Sequence, residues 1–258
     1  MSAKKKMSLV DEYFKDIPMT LDQHPFFGLD CSDKEQIIYR DALWNRDKKL
    51  VIVDAVAGSG KTTLAVAVSY LYVKYGLSDE VLYIRTPSSE GRIGFLPGDQ
   101  SSKEKPYMAP LYTAIVNIGE NPNTVINDDS MTNQKYGTGI FTPMTDVYIL
   151  GSDYKNKFII IDEAQCMTKE QLKAVITRCH DDCKVVIIGS TLQIQGINQE
   201  DSGLTRCIEH FSNKEWAQVC HLTKNYRGEM SAWADKLWKN KCNIGGTSYG
   251  KVCNCKKV

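Results

Sequence analysis

The chain has 258 residues, of which 42% are hydrophobic and 24% are charged, a balance that is ordinary for a globular protein with one large core. Its 32 Lys and Arg residues are nearly matched by 31 Asp and Glu residues, so no overall field attracts it to nucleic acid or to an anionic membrane. The longest nearly apolar run, residues 64–73, is shorter than the roughly 18 residues that a membrane span needs. We therefore expect no membrane partner, and any nucleic-acid site should be a local patch.

The N-terminus and the cysteines favour a cytoplasmic protein. Acidic residues within 11–16 interrupt the stretch where a signal peptide would need an apolar core. The nine cysteines lack the dense spacing of a disulfide-stapled secreted domain, which favours reduced thiols. The groups within 179–183 and 242–255 have no paired C-x2-C knuckles, so we interpret them as ordinary thiols rather than zinc ligands.

The chain begins with a lead-in over residues 1–30, where two prolines and a glycine interrupt any period. A helix is predicted to follow and to run towards Trp44. Ser32 is its predicted cap, because Glu35 stands three residues after this hydroxyl.

Four short runs rich in β-branched residues are predicted as buried strands, at 50–53, 81–84, 158–161 and 184–188. Between the first two runs, residues 61–75 have helical composition. Continuous apolar strands separated by helices predict an α/β fold in which a parallel sheet is flanked by helices. The polar stretch around 120–140 is predicted as a surface insertion, and the chain is predicted to end in a helical tail.

A phosphate-binding loop is predicted at residues 55–62, where the sequence fits the Walker A pattern except that Ala55 replaces the usual first glycine. The loop lies between an apolar strand and a helix, as this motif requires. Small residues allow successive backbone N–H groups to curl around phosphate, and the helix N-terminus adds a favourable field. The residues predicted to bind ATP are Ala57, Gly58, Ser59, Gly60, Lys61, Thr62 and Thr63.

The chemistry is predicted to come from polar residues at the ends of three strands. Lys61 should reach the β- and γ-phosphates, while Thr62 and Asp162 should hold Mg²⁺, the carboxylate through water. Glu163, the second acid of a Walker B pattern, is predicted to orient and deprotonate the attacking water. Gln193, after the fourth strand, is predicted to sense the γ-phosphate by hydrogen bonding.

The order of motifs from Gln36 to Phe211 resembles the PhoH-like family, the phosphate-starvation-inducible ATPases related to superfamily 1 helicases. The most distinctive similarity lies between the two nucleotide motifs, in residues 85–87, 90–99, 105–107 and 110–112. Further similar segments follow in the same order, at 162–165, 177–178 and 202–204. The resemblance implies a P-loop NTPase with a single RecA-like lobe over residues 31–258, hydrolysing ATP with Mg²⁺.

The resemblance also implies roles for residues outside the loop. Gln36 is placed like the glutamine that reads adenine in helicase-like ATPases, and Tyr226 like a tyrosine near the base. Arg227 is the first candidate for stabilising transition-state charge, and Arg178 is the second.

Partners follow from the same resemblance. Too few residues follow Phe211 to form a second motor lobe, so a homo-oligomer is predicted, a ring such as a hexamer, in which adjacent subunits complete the site. RNA or single-stranded DNA is the predicted macromolecular partner. The candidates for strand contact are Arg85, Arg92 and Lys105.

Two departures from the family pattern leave alternatives open. Ser190 stands where the family usually has aspartate, which predicts slow turnover, and residues 150–153 replace an arginine-rich segment. A non-catalytic ATP-gated switch or partner-binding module is one alternative. A nucleoside kinase is another, since Walker A combined with residues 162–165 also resembles thymidine kinases. The aromatic residues Tyr226, Trp233 and Trp238 are expected to pack a terminal helix against the core rather than to stack on bases.

Overall fold

The structure, a computed structural model, describes residues 16–31, 33–85, 105–127, 139–145, 153–194 and 197–234. The strands are β1 (Leu50–Ala55), β2 (Glu80–Arg85), β3 (Phe141–Thr145), β4 (Lys157–Asp162), β5 (Lys184–Gly189) and β6 (Ala217–Leu222). The helices are α1 (Lys34–Trp44), α2 (Lys61–Lys74), α3 (Ala109–Asn117), α4 (Pro122–Val125), α5 (Lys169–Ile176), α6 (Gly203–Phe211) and α7 (Glu229–Ala234). Short 3-10 turns lie at Phe26–Gly28, Lys105–Met108, Ala164–Cys166 and Gln199–Asp201.

The six strands form one sheet in the order β3-β2-β4-β5-β1-β6, and every neighbouring pair is parallel. The predicted α/β fold with a parallel sheet flanked by helices is therefore confirmed. Because the strands are parallel, all their carboxyl ends lie along the same edge of the sheet, which we call the carboxyl edge, and all their amino ends lie along the amino edge. Register places Arg85 beside Asp162 and Asp54 beside Gly189 at the carboxyl edge.

Both faces of the sheet are buried, which explains why its central strands are continuous apolar runs. Side chains alternate between two hydrophobic clusters, so that Val186 belongs to one and Ile187 to the other. The first cluster is closed by α1, α2 and α3, with Tyr39, Leu71 and Leu111 nearly inaccessible to solvent. The second cluster is closed by α5 and α6.

The four predicted strands are confirmed within two residues at each end, but β3 and β6 were not predicted. Both are edge strands. β3 contains Pro143, which removes a ladder donor and is tolerated at an edge. β6 interrupts its apolar residues with Gln218 and His221, so it lacks the continuous run that identifies the central strands.

The predicted cap of α1 was wrong by one residue. Asp33 is the N-cap, and its carboxylate accepts a hydrogen bond from the backbone N–H of Gln36 at 2.8 Å. Ser32 lies outside the described residues. Glu35, the other half of the predicted capping box, instead accepts hydrogen bonds from Thr223 at the far end of the chain.

The predicted surface insertion and terminal helix also differ from the structure. Val125 and Ile126 are buried in the first cluster, so this part of the 120–140 segment contributes to the core, and residues 128–138 lie outside the described residues. The expected core packing of the terminal helix was wrong, because α7 buries no residue and Trp233 is 70% exposed. Trp238 lies outside the described residues. In the described parts of the chain, no helix combines the length and the apolar character needed to cross a bilayer.

Candidate nucleotide-binding site

The phosphate loop connects β1 to the first residue of α2. Gly58 and Gly60 have φ angles of 68° and 84°, a left-handed conformation that glycine adopts without steric cost, and Gly60 is the N-cap of α2. Ser59 between them is 1% exposed. The loop therefore has the backbone geometry that presents N–H groups and a helix N-terminus to an anion.

Thr62 and Asp162, the two predicted magnesium ligands, are in direct contact. The Thr62 hydroxyl donates to Oδ2 of Asp162 at 3.2 Å, although the two residues are 100 positions apart. A hydroxyl and a carboxylate are oxygen ligands of the kind that Mg²⁺ prefers, so the pair fits this ion. Lys61 lies on the same turn, with Nζ 3.4 Å from the carbonyl oxygen of Val56.

Tyr83 supports Asp162 from the adjacent strand, and the sequence patterns did not identify it. Its hydroxyl donates to Oδ2 of Asp162 at 2.5 Å. Burial raises the pKa of Tyr83 well above its ordinary value, and the charge and hydrogen bond of Asp162 raise it further. Tyr83 therefore stays protonated and acts as a donor to this buried carboxylate.

Glu163, the predicted base, is held from two sides. Nη2 of Arg85 lies 3.5 Å from Oε1, and Nε2 of Gln165 donates to Oε2 at 2.6 Å. The backbone of Glu163 has φ 56° and ψ 36°, a left-handed conformation that is uncommon for a residue with a side chain. Such strain at an acid beside a phosphate loop is characteristic of functional positions.

Gln165 and Ser190 connect the acids to the end of β5. Oε1 of Gln165 accepts from the backbone N–H of Ser190 at 3.2 Å, and Gln165 is 2% exposed. A β-carbon on Gly189 would lie 2.6 Å from Oε1 of Gln165, so only glycine fits there. Gln193, the predicted γ-phosphate sensor, lies in the following turn, where its N–H donates to the carbonyl of Ser190 at 3.1 Å.

A further link at this edge, between Asp54 and Thr191, was also missed from the sequence. The N–H and hydroxyl of Thr191 donate to the two carboxylate oxygens of Asp54, at 2.8 and 2.7 Å. Asp54 precedes the phosphate loop on β1, so the link ties the end of β5 to the base of the loop. Its two members come from different strands, and no local sequence motif contains both.

Gln36 and Tyr226, the two residues predicted to contact the base, hydrogen-bond to carbonyl oxygens of the phosphate loop. Nε2 of Gln36 donates to the carbonyl oxygen of Ser59 at 3.0 Å, and the N–H of Tyr226 donates to the carbonyl oxygen of Gly58 at 2.9 Å. The Tyr226 hydroxyl hydrogen-bonds to Asp33 and lowers the pKa of that carboxyl group. Both residues therefore lie beside the loop, and their contacts with the base stay a prediction.

Arg227 reaches the phosphate loop, whereas Arg178 does not. A β-carbon built on Gly58 would lie 2.7 Å from Cγ of Arg227. Arg178 follows α5 and pairs its backbone carbonyl with the N–H of Tyr154, just before β4 begins, so it lies at the amino edge. The six residues of β4 separate the two edges by about 20 Å at ~3.3 Å per residue. Arg178 therefore lies far from the phosphate loop of its own chain, and its role as the second candidate for stabilising transition-state charge stays a prediction.

The candidates for nucleic-acid contact are only partly described. Arg85 lies at the carboxyl edge beside Glu163. Arg92 and the side chain of Lys105 lie outside what the structure describes.

The family model described as PhoH-like protein matches residues 29–237. The chain belongs to the PhoH-like family. It is 27% identical to Protein PhoH2 of Bacillus subtilis over 85% of this chain and 50% of that protein. It is 34% identical to a PhoH-like protein of the same organism over 57% of this chain and 44% of the relative. The chain thus spans about half the length of these curated relatives.

Among solved structures, the chain is similar to the large terminase of a thermophilic bacteriophage in complex with ADP. The TM-score is 0.45 and the identity 14%, over 74% of this chain and 45% of the terminase. Family membership and the loop geometry together support a nucleotide-binding P-loop protein.

Proposed function

We propose that this chain hydrolyses ATP with Mg²⁺ at the carboxyl edge of the sheet. The hydrogen bond between Thr62 and Asp162 is the main support for the proposal. It joins the first turn of α2, directly after the phosphate loop, to the end of β4. Glu163, the residue that separates a hydrolase from a protein that only binds nucleotide, is the next residue after this contact.

The residues then have distinct roles. Backbone N–H groups of the loop and the ammonium group of Lys61 bind the phosphates, and Gln36 and Tyr226 lie where they would contact the base. Thr62 and Asp162 would hold Mg²⁺, which supplies charge neutralisation when bound. Glu163 takes the proton of the attacking water, and Arg227 neutralises charge on the γ-phosphate.

Phosphate release by purified protein tests the proposal, with Lys61→Ala and Glu163→Gln as the informative variants. Glu163→Gln should lower release by about 10²–10⁴-fold, the usual contribution of a general base, while it retains ATP binding. Lys61→Ala should weaken ATP binding itself. Glu209→Gln is the matched control, since Glu209 also accepts from an arginine but lies on the exposed surface of α6. Release that is unchanged in both site variants would refute catalysis.

A non-catalytic ATP-gated switch remains the second candidate, favoured by the engagement of both Glu163 oxygens. It predicts ATP binding with no phosphate release above background from the wild-type chain. Equilibrium binding of a fluorescent ATP analogue beside the release assay separates the two functions.

Oligomerisation and nucleic-acid coupling are further parts of the proposal. Arg227 lies beside the phosphate loop of its own chain, whereas Arg178 lies at the amino edge. A neighbouring copy in a ring could supply the second wall of the site, and RNA or single-stranded DNA could stimulate turnover. Mass measurement in solution with and without ATP tests the ring, and a wild-type chain that is monomeric under both conditions would contradict it.

A further inference from the structure

The two carboxylate oxygens of Glu163 have different partners, Arg85 and Gln165. In the sheet order, β2 and β5 lie on opposite sides of β4. Arg85 at the end of β2 contacts one oxygen, and Gln165, which is bonded to the end of β5, contacts the other. The phosphate loop follows β1, on the β5 side. The contact with Arg85 therefore lies on the side of β4 opposite to β1 and the phosphate loop.

The hydrogen bond of Gln165 to Glu163 is short, whereas the contact of Arg85 with Glu163 is long. Gln165 is buried and bonded at both ends of its amide, at 2.6 and 3.2 Å. The ion pair of Arg85 with Glu163 is a single contact of 3.5 Å between side chains that are 20% and 32% exposed. The contact is long and is not the bidentate arrangement that makes arginine–carboxylate pairs strong, so its separation costs less than that of a two-bond pair.

Among the described residues, one nitrogen of the Arg85 guanidinium group has no hydrogen-bond acceptor. Its Nη1 is buried and makes no hydrogen bond to the described residues. A phosphodiester group offers two oxygens in the geometry that suits the forked donors of arginine, whereas Glu163 accepts only one long contact. A phosphate group at this position would therefore compete effectively for Arg85.

We propose that Arg85 is a releasable restraint on Glu163, and that the phosphodiester backbone of single-stranded nucleic acid releases it. Without the strand, Arg85 keeps the carboxylate turned towards β2 and hydrolysis is slow. When a backbone phosphate binds Arg85, the carboxylate stays bonded to Gln165 and turns towards the phosphate loop. Arg85 is thus a positioning residue that links strand binding to catalysis. The inference rests on the proposed function, because it assigns regulation to the same site.

The test measures phosphate release by the 258-residue wild type, Arg85→Gln and Arg85→Lys, alone and with oligouridylate or oligothymidylate of equal length. Arg85→Gln should raise the unstimulated turnover number roughly two- to fivefold, the factor expected for an ion pair of this exposure, with little change in the KM for ATP. Both oligonucleotides should no longer stimulate it and should bind it more weakly. Arg85→Lys keeps the positive charge but loses the forked donors, so its unstimulated rate should lie between those of wild type and Arg85→Gln, and it should keep part of the stimulation.

Two controls make the result specific. Arg206→Gln removes an arginine that pairs with Glu209 at 3.0 Å on the surface of α6, and it should behave as wild type. The double variant Arg85→Gln with Glu163→Gln should lose the gain in rate, because the gain acts through Glu163. A thermal unfolding curve for each variant shows whether it is folded.

Different results overturn different claims. If wild type hydrolyses ATP through Glu163 but Arg85→Gln is unchanged or slower, the restraint is refuted and the proposed hydrolysis stands. If Arg85→Gln is faster while neither oligonucleotide stimulates wild type, nucleic acid is not the releasing ligand and the inference fails in that part. If wild type releases no phosphate, or Glu163→Gln releases it equally, the proposed function fails and the inference with it.

Discussion

The two edges of the sheet both contain buried polar groups, but they use them differently. At the carboxyl edge, Asp162 accepts a hydrogen bond from Thr62 beside the phosphate loop, and Gln165 connects Glu163 to the end of β5. At the amino edge, Lys184 is 4% exposed and donates to the carbonyl oxygens of Ala42 and Asn45, where α1 ends. The first arrangement positions reactive groups, whereas the second caps a helix. Burial of a polar side chain therefore does not by itself indicate a functional site.

The largest expected effect comes from a glycine pair, one at each edge. Gly58→Ala should weaken ATP binding by at least about tenfold, because its β-carbon would lie 2.7 Å from Cγ of Arg227 and 2.7 Å from Oδ1 of Asn225. Gly76→Ala, after α2 at the amino edge, shares the left-handed φ but meets nothing within 4 Å. Both should lose about 1 kcal/mol of folding stability from backbone strain. Titration with a fluorescent ATP analogue measures the difference, and equal affinity in the two variants would contradict it.

A tyrosine pair changes folding stability rather than ATP affinity. Tyr83→Phe should lower the free energy of unfolding by about 1.5–3 kcal/mol, because it leaves the buried carboxylate of Asp162 with one donor fewer. Tyr72→Phe removes a 3.2 Å bond to the neutral carbonyl of Trp44 and should cost about 1 kcal/mol. Denaturant unfolding with and without Mg-ATP provides the measurement. Mg-ATP should restore more stability to Tyr83→Phe, since the ion compensates Asp162, and equal restoration would argue against a magnesium site there.

The smallest expected effect is a pH dependence at the amino edge. Burial lowers the pKa of Lys184 to about 7, and the nearby charge of Lys48 acts in the same direction. Above pH 7 the unfolded chain keeps a proton on this lysine that the folded chain has largely released, so raising the pH favours the folded state. Between pH 7 and 8.5 the unfolding free energy of wild type should rise by about 1 kcal/mol relative to Lys184→Met.

ATP affinity should be the same in wild type and Lys184→Met, because the lysine lies at the edge away from the phosphate loop. Parallel stability curves for the two proteins across this pH range would show that Lys184 keeps its proton in the folded state. Denaturant titration at several pH values, kept below the range in which tyrosines titrate, is the appropriate measurement.

The sequence predicted those parts of the site whose chemistry is contained in a short segment. The phosphate loop requires glycine at particular positions within 55–62, and residues 158–163 join an apolar strand to two acids. Tyr83 and the link between Asp54 and Thr191 depend on register between strands. Nothing in the run around Tyr83 distinguishes a tyrosine that packs from one that donates to an acid, so these partners could only be seen in the folded chain.

The difference between local and long-range information also explains why β3 and β6 were not predicted from the sequence. Central strands are recognisable in the sequence because both of their faces are apolar, whereas β3 and β6 end the sheet formed by the described residues and tolerate polar residues and proline. Arg178 belongs to a segment that resembles the family motif, but α5 carries the chain from one edge of the sheet to the other before this residue is reached. A motif fixes the order of residues along the chain and not the end of the sheet at which they lie.

The bonds from Glu35 to Thr223 and from Asp33 to Tyr226 fasten an early helix to a late segment around the phosphate loop. Any shortened version of the protein that is meant to retain nucleotide must therefore start ahead of Asp33 and continue beyond Arg227. Trimming from either terminus past these points would remove contacts on the same side of the phosphate loop, even though the two cuts lie almost 200 residues apart in the chain.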